Sequence, residues 1–457
     1  MSMALVELLP LFMFAALAVF LFTGFPVAFV LGGIGLGFWL LAVALGLENP
    51  LSFFLVVGRI FGGVVDNLVL VAIPMFILMG TALEKSGIAR ELLTTLQILT
   101  RRVPGGLALS VTLLGVVMAA TTGIIGASVV MMTLLALPVM LDRGYDTPLA
   151  SGTIAASGTL GILIPPSIML VVMADLLATS VGTLFMAAVM PGLLLSLLYF
   201  GYIALRAAAN PALAPPMPRS EGPETKSALL ALVLKTFFPP LLLMALVLGS
   251  IFAGFATPTE ASGVGAAGAL LLALAKGRLD RTTLAEVIDR STLTTAMLFG
   301  IFVGATAFSY VFALLGGHVL IVEFVNALGA GPWGVLLLLM VLVFALGFFF
   351  DWIEITLIVL PVFAPVIRAL EFGGHVPWPE LTVPWFAVLV AINLQTSFLT
   401  PPFGFALFYM KGVAPAGVRI QQIYIGIIPF VLLQLAGLGL VMAWPEIALW
   451  LPKRLGG

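Results

Sequence analysis

A chain of 457 residues with 62% apolar side chains and 9% charged ones would expose far more hydrophobic surface than a water-soluble monomer carries. Its 19 Lys and Arg nearly balance 20 Asp and Glu, so no basic footprint for nucleic acid exists. The absence of Cys excludes disulfides, thiolate metal sites and cysteine nucleophiles, and two His exclude most zinc catalysis. The composition is that of an all-α polytopic membrane protein in a lipid bilayer, with room for roughly ten to fourteen segments of about 20 residues.

The apolar run from Leu8 to Phe22 lacks a basic leader and a small-residue cleavage site, so it predicts a retained helix over 5–23. Crossings follow at 26–46 and 67–84. The stretch 104–141 is too long for one span and is broken in the middle by Gly and polar residues, which predicts a hairpin that enters and leaves on one side. Crossings at 148–178 and 181–206 close the first half. A Pro-rich linker, about 207–228, is too polar to span. Then come 236–252, 257–275, 292–316, a second hairpin over 332–368, and crossings at 383–411 and 421–444.

The same landmarks recur in both halves. Gly24-Phe25 matches Gly254-Phe255, Pro104 matches Pro332, Pro165-Pro166 matches Pro401-Pro402, and Pro191 matches Pro429, with an insertion around Gly373–Leu381. Residues 1–206 and 229–457 therefore read as two repeats of five crossings and one hairpin. An odd number of crossings inverts the second repeat. With both termini external, all but Arg59, Arg368, Lys453 and Arg454 of the 19 basic residues fall on the inner side, a positive-inside bias. A plain bundle kinked by prolines would not produce this symmetric placement.

Four breaks at bilayer depth come in matched pairs: the hairpin turns at 121–128 and 347–354, and the interrupted crossings at 157–167 and 393–404. Each unpaired backbone group in hydrocarbon costs several kcal/mol unless protein, water or ligand satisfies it. Tandem prolines free the carbonyls before Pro165 and Pro401, which suit a hard cation, and the half-helix N-termini beyond them suit a carboxylate. The breaks hold no Lys or Arg, so an anion would rest on dipoles, bound cations and polar groups; Thr122, Gly123, Ser157, Thr159, Asn393, Gln395 and Thr396 are the candidates. Asp351 and Glu354 are the acids of these breaks, with Asp351 at the turn itself. Asp175 reads as interfacial, and Glu260 in ATPTEA as a helix cap.

The stretches IPMFILMG (Ile73–Gly80), GTLGILIPPSI (Gly158–Ile168), ATPTEASG (Ala256–Gly263), LPVFAP (Leu360–Pro365) and TPPFG (Thr400–Gly404) resemble, in order and across both halves, the large membrane subunit (DctM type) of tripartite ATP-independent periplasmic (TRAP) transporters. That resemblance implies an inverted-repeat elevator-type transporter in the bacterial inner membrane, driven by Na⁺. It also implies a periplasmic substrate-binding protein that delivers a small organic anion and a small four-helix membrane subunit as partners. Two Na⁺ sites carry over by resemblance: Ser128 with Gly161, Ile164 and Pro165, and Asp351 with Thr400 and Pro401. The repeat alignment adds Ser397 as the counterpart of Gly161. The first turn here reads Gly126-Ala127-Ser128 where many relatives are richer in polar groups, which shifts weight to carbonyls.

Other function classes fit less well. An anion transporter that needs no binding protein shares the same architecture. An intramembrane hydrolase needs a buried Ser–His or paired-Asp arrangement, yet His318 and His375 fall in expected outer loops. A channel does not require hairpins on opposite sides.

Overall fold

The computed structural model describes residues 7–122, 125–217, 223, 225–401 and 404–456, and those residues form twenty α-helices with no strand among them. The first half runs α1 (Leu9–Leu21), α2 (Val27–Ala44), α3 (Phe53–Ile60, continued by a π-helical turn to Val65), α4 (Ala72–Lys85), α5 (Ile88–Thr100), α6 (Gly106–Thr122), α7 (Ile125–Asp142), α8 (Thr147–Thr159), α9 (Ile168–Leu176) and α10 (Val181–Ala209). The second half runs α11 (Lys226–Phe252), α12 (Pro258–Ala275), α13 (Arg281–Leu314), α14 (Gly317–Leu328), α15 (Gly331–Leu346), α16 (Trp352–Arg368), α17 (Thr382–Ser397), α18 (Phe405–Val413) and α19 (Ile420–Ala443). A short α20 (Glu446–Leu455) follows. Six of these helices are long and apolar enough to cross a membrane by themselves, and two bent pairs add to them.

Both expected hairpins are helix pairs, α6–α7 and α15–α16, and both interrupted crossings are split, α8–α9 and α17–α18. The capping box expected at Glu260 is present: Thr257 Oγ1 accepts the Glu260 N–H, and the Glu260 carboxylate accepts the Thr257 N–H at 2.8 Å.

Two expectations need correction. Residues 85–103, expected as an inner loop, contain α5. Its buried Ile88, Ala89, Leu92, Leu93 and Leu96 recur at helical spacing, while Arg90 and Glu91 keep the other face polar. This helix is bent 59° from α4, and the left-handed φ of +74° at Gly87 makes that elbow possible. At the counterpart position before α14, Gly316 has φ +83°, and a separate bend of 120° follows α14, between it and α15, where Gly329 and Gly331 have φ +57° and +62°. The crossing expected at 292–316 begins earlier, at Arg281, because Asp280 caps it by accepting the Thr283 N–H at 2.7 Å. That hydrogen bond holds the exposed Asp280 carboxyl below its ordinary range. The resulting helix is about 51 Å long, more than a bilayer core requires.

Packing comes in exchanged pairs. Helix α2 lies along α13 while α12 lies along α4; α8 packs on α19 while α17 packs on α10; α7 meets α18 while α16 meets α9. Each half therefore buries part of its apolar faces on the other half. The closest seam is α8 on α19, where a Cβ at Gly426 would collide with the Pro148 carbonyl. Gly426→Ala is therefore expected to cost about 1–3 kcal/mol through overpacking. Gly439→Ala on the same helix, with open space around it, should be neutral. Thermal unfolding of the two variants in detergent checks this pair.

Candidate site at the paired helix breaks

The chain stops being helical at two places for the same reason. Pro165 and Pro166 offer no N–H, so α8 tightens into a 3₁₀ turn at Leu160–Ile162 and ends, and α9 restarts after Ser167. The Leu163 and Ile164 N–H groups both turn back to the Leu160 carbonyl, at 3.0 Å. Among the described residues the Gly161 carbonyl is then left without a backbone donor, because the next nitrogens in reach belong to the prolines. Ser167 Oγ takes the Ile162 carbonyl at 2.6 Å. In the second half α17 ends at Ser397, the Thr400 N–H turns back to the Ser397 carbonyl, and α18 begins after Gly404.

Each hairpin turn sits on one of these breaks. Val129, beside the buried Ser128, packs so close to Gly158 that no Cβ fits there, and Gly126 lies against the Tyr409 ring of α18. The second turn seats Gly347 on Ser397, where a Cβ would collide with Ser397 Oγ. Ile164 lies against Gly192 of α10. The structure therefore brings Ser128 to the α8 break that carries Gly161, Ile164 and Pro165. It also brings the turn that carries Asp351 to the α17 end that carries Ser397, Thr400 and Pro401. Gly123 and Pro402 lie outside the described residues, as does the side chain of Thr122.

Asp351 caps α16. Its Oδ1 accepts the Trp352 N–H at 2.6 Å, and Glu354 Oε2 accepts the Asp351 N–H at 3.2 Å, completing a capping box. Glu354 thus pairs locally with the turn. Thr400 Oγ1 donates to the Thr396 carbonyl at 2.8 Å and keeps its lone pairs for another partner. The first break thus presents a carbonyl, and the second a carboxylate and the Thr400 hydroxyl, oxygen donors of the kind a hard cation takes.

The other polar candidates are placed differently from the sequence expectation. Asn393, Gln395 and Thr396 lie inside α17, and Ser157 and Thr159 inside α8, all nearly fully buried. Ser157 Oγ donates to Thr112 Oγ1 of α6 at 3.2 Å, and Asn393 Nδ2 donates to the Met340 carbonyl of α15 at 2.7 Å. Each interrupted helix is thereby tied to a hairpin arm. Gln395 Nε2 donates to Thr159 Oγ1 at 3.3 Å, tying the two interrupted helices to each other, and reaches Tyr199 of α10 at 3.4 Å. Sequence reasoning passed over Tyr199, Gln434 and Tyr409. The available signal was a lone polar residue in an apolar helix: Tyr199 and Gln434 are both fully buried, with the Tyr199 ring edge-on to Phe430 one turn from Gln434.

Two clefts flank this body. One of about 490 Å³ runs between α7 (Met131, Leu135) and the α4–α5 elbow with the α12–α13 junction. The other, about 440 Å³, runs between α16 (Leu357, Pro361) and the π turn, α13 and the start of α14, with Arg59, Tyr310 and His318 on its walls.

The tight seat of the second turn yields a test. Gly347→Ala should destabilise the protein by about 1–3 kcal/mol. Ser397→Gly in the same chain should recover most of that loss, since it removes the group the new methyl meets. Additive losses in a double-mutant cycle of thermal unfolding would show that the two positions do not press on one another.

Comparison with known proteins gives a consistent picture. Residues 14–447 match the family described as the tripartite ATP-independent periplasmic transporter, DctM component. The C4-dicarboxylate TRAP transporter large permease protein DctM of Pseudomonas aeruginosa is 34% identical over 396 residues, covering 86% of this chain and 88% of that protein. The protein of the same name from Rhodobacter capsulatus is 30% identical over 461 residues, covering 98% and 99%. Among solved structures, the Alcanivorax borkumensis YdaH transporter superposes with a TM-score of 0.59 over 88% of both chains at 16% identity, a likeness of fold alone.

Proposed function

This chain belongs to the DctM component family of TRAP transporters, and on that premise we propose that it translocates a small organic anion, a carboxylate, together with Na⁺. The observation that carries this reading is the seating of each hairpin turn on the break of an interrupted helix. In lipid such breaks are tolerated where they line a site. One Na⁺ would be held by the Gly161 carbonyl with Ser128, Ile164 and Pro165, and a second by Asp351 with Ser397, Thr400 and Pro401. The N-termini of α9 and α18 beside the breaks supply positive dipole ends for a carboxylate. Both relatives described above are named for C4-dicarboxylates, which favours that class of substrate.

The hairpins and interrupted helices make one body, and α2, α4, α12 and α13 frame it. Clefts on two sides of that body support an elevator movement between frame and body. The exchanged packing supports an inverted repeat of 1–206 and 229–457, with both termini periplasmic in the bacterial inner membrane. A small four-helix membrane subunit and a periplasmic substrate-binding protein complete the proposed system. Each Na⁺ moved inward across 100 mV contributes about 2.3 kcal/mol, and each negative charge on the substrate subtracts as much.

Initial uptake against Na⁺ concentration in the complete system, at fixed potential, tests the coupling. A Hill coefficient above one is expected. Asp351→Asn should weaken Na⁺ dependence by at least about tenfold, the scale known for disturbed metal sites. Glu354→Gln, which retains an oxygen for the Asp351 N–H, should be milder. Full activity in Na⁺-free buffer would overturn the coupling, and robust uptake by this chain alone would favour a self-sufficient transporter. For orientation, reporters fused at Pro215 and Gly374 should report opposite sides of the membrane; a common side would sink the inverted repeat.

A further inference from the structure

Lys235 is the one charged residue in the apolar span Ser227–Phe252 of α11, about 13 Å along the helix from its start. Among the described residues it has neither an ion pair nor a side-chain hydrogen bond. A cation in that position calls for a partner. It faces a notch of about 650 Å³ between α5, α11 and the end of α12, whose walls also carry Arg90, Lys276 and Arg278. The single acid there, Glu91, is already shared by Lys276 and Arg278. The Arg90 side chain, like Lys235, has no partner among the described residues. At the floor Thr95 Oγ1 donates to Thr236 Oγ1 at 3.3 Å, closing the notch against the interior. Next along α11 and α12 to the residues that line it, Leu230, Leu234, Leu271 and Leu274 are each more than half exposed.

A strongly cationic recess with exposed leucines beside it on the same two helices complements a ligand with an anionic head and hydrocarbon tails. We propose that this notch holds the phosphate headgroup of an anionic phospholipid, with Lys235 and Arg90 as its charge partners and the acyl chains along the exposed leucines of α11 and α12. The bound lipid would brace α5 against α11 and α12, adding to the Glu91 ion pairs. The inference rests on the chain spanning a bilayer and is independent of its substrate or coupling ion.

The test is native mass spectrometry of the full chain in mild detergent, titrated with phosphatidylglycerol or phosphatidylcholine. The wild type should bind phosphatidylglycerol in preference. Lys235→Gln should weaken that binding about fivefold, the effect of one lysine at an anionic lipid surface, and Lys235→Arg should preserve it. Arg90→Gln, on the exposed face of α5, supplies the same measurement if Lys235→Gln does not purify as a folded protein. Equal binding of the two lipids, or undiminished phosphatidylglycerol binding by the neutral variants, overturns the proposal. So does displacement of phosphatidylglycerol by inorganic phosphate, which would assign the notch to a free anion.

Discussion

Everything in this structure answers to the cost of leaving a peptide group unpaired in hydrocarbon. Two helices are cut by proline near their middles, and neither cut is tolerable in lipid without cover. The cover is a hairpin turn in each case, and glycine makes the fit possible: Gly158 receives Val129, and Gly347 lies on Ser397. Once a turn must reach a break, both arms of its hairpin must pack on the interrupted helix. The hydrogen bonds from Ser157 to Thr112 and from Asn393 to Met340 fix those arms in place.

The same constraint explains why the halves are not separable. Each hairpin's second arm also meets the other half's short helix, α7 on α18 and α16 on α9. The long helices follow suit, α2 along α13 and α4 along α12. A half-chain by itself would leave these faces uncovered. The elbows at Gly87 and Gly316 join the framing helices to the hairpins. The first is tied to the α12–α13 junction by Glu91 with Lys276 and Arg278, and by Lys85 with Glu286 at 2.8 Å. Such partly exposed pairs contribute at most about 1 kcal/mol each. The buried apolar stripe of α5 holds the helix on α6 and α11 and supplies the larger share of its anchoring.

Polar residues inside the body serve two different ends. Gln395 joins Thr159 and Tyr199, so the interrupted helices and α10 are held by one buried network. At the breaks themselves the oxygens differ in kind. Asp351 and Glu354 spend part of their capacity on capping α16, while the Gly161 carbonyl has no backbone donor among the described residues. The first break therefore offers backbone oxygen and the second a carboxylate, and the two are related in arrangement without being chemically equivalent.

The sequence by itself determined the solvent, the helical class, the two hairpins and the two proline breaks. These depend on local properties: apolar run length, and the missing N–H of proline. It also placed Asp351 at a turn and Glu260 at a helix cap, since acids in an apolar run and a Thr-x-x-Glu spacing are visible in one dimension. Tertiary structure alone decided where the polar residues near the breaks point. Asn393 and Gln395 lie in a segment rich in break-forming residues, yet helix α17 continues through them to Ser397 because neighbouring helices supply their hydrogen-bond partners. It likewise decided the fate of 85–103, where charges suggested a loop. A packing surface for Ile88, Leu92 and Leu96 turned that segment into a helix. Both outcomes depend on packing partners outside the segment itself, as from Asn393 to Met340 and from α5 to α6 and α11, which no local reading of composition or spacing contains.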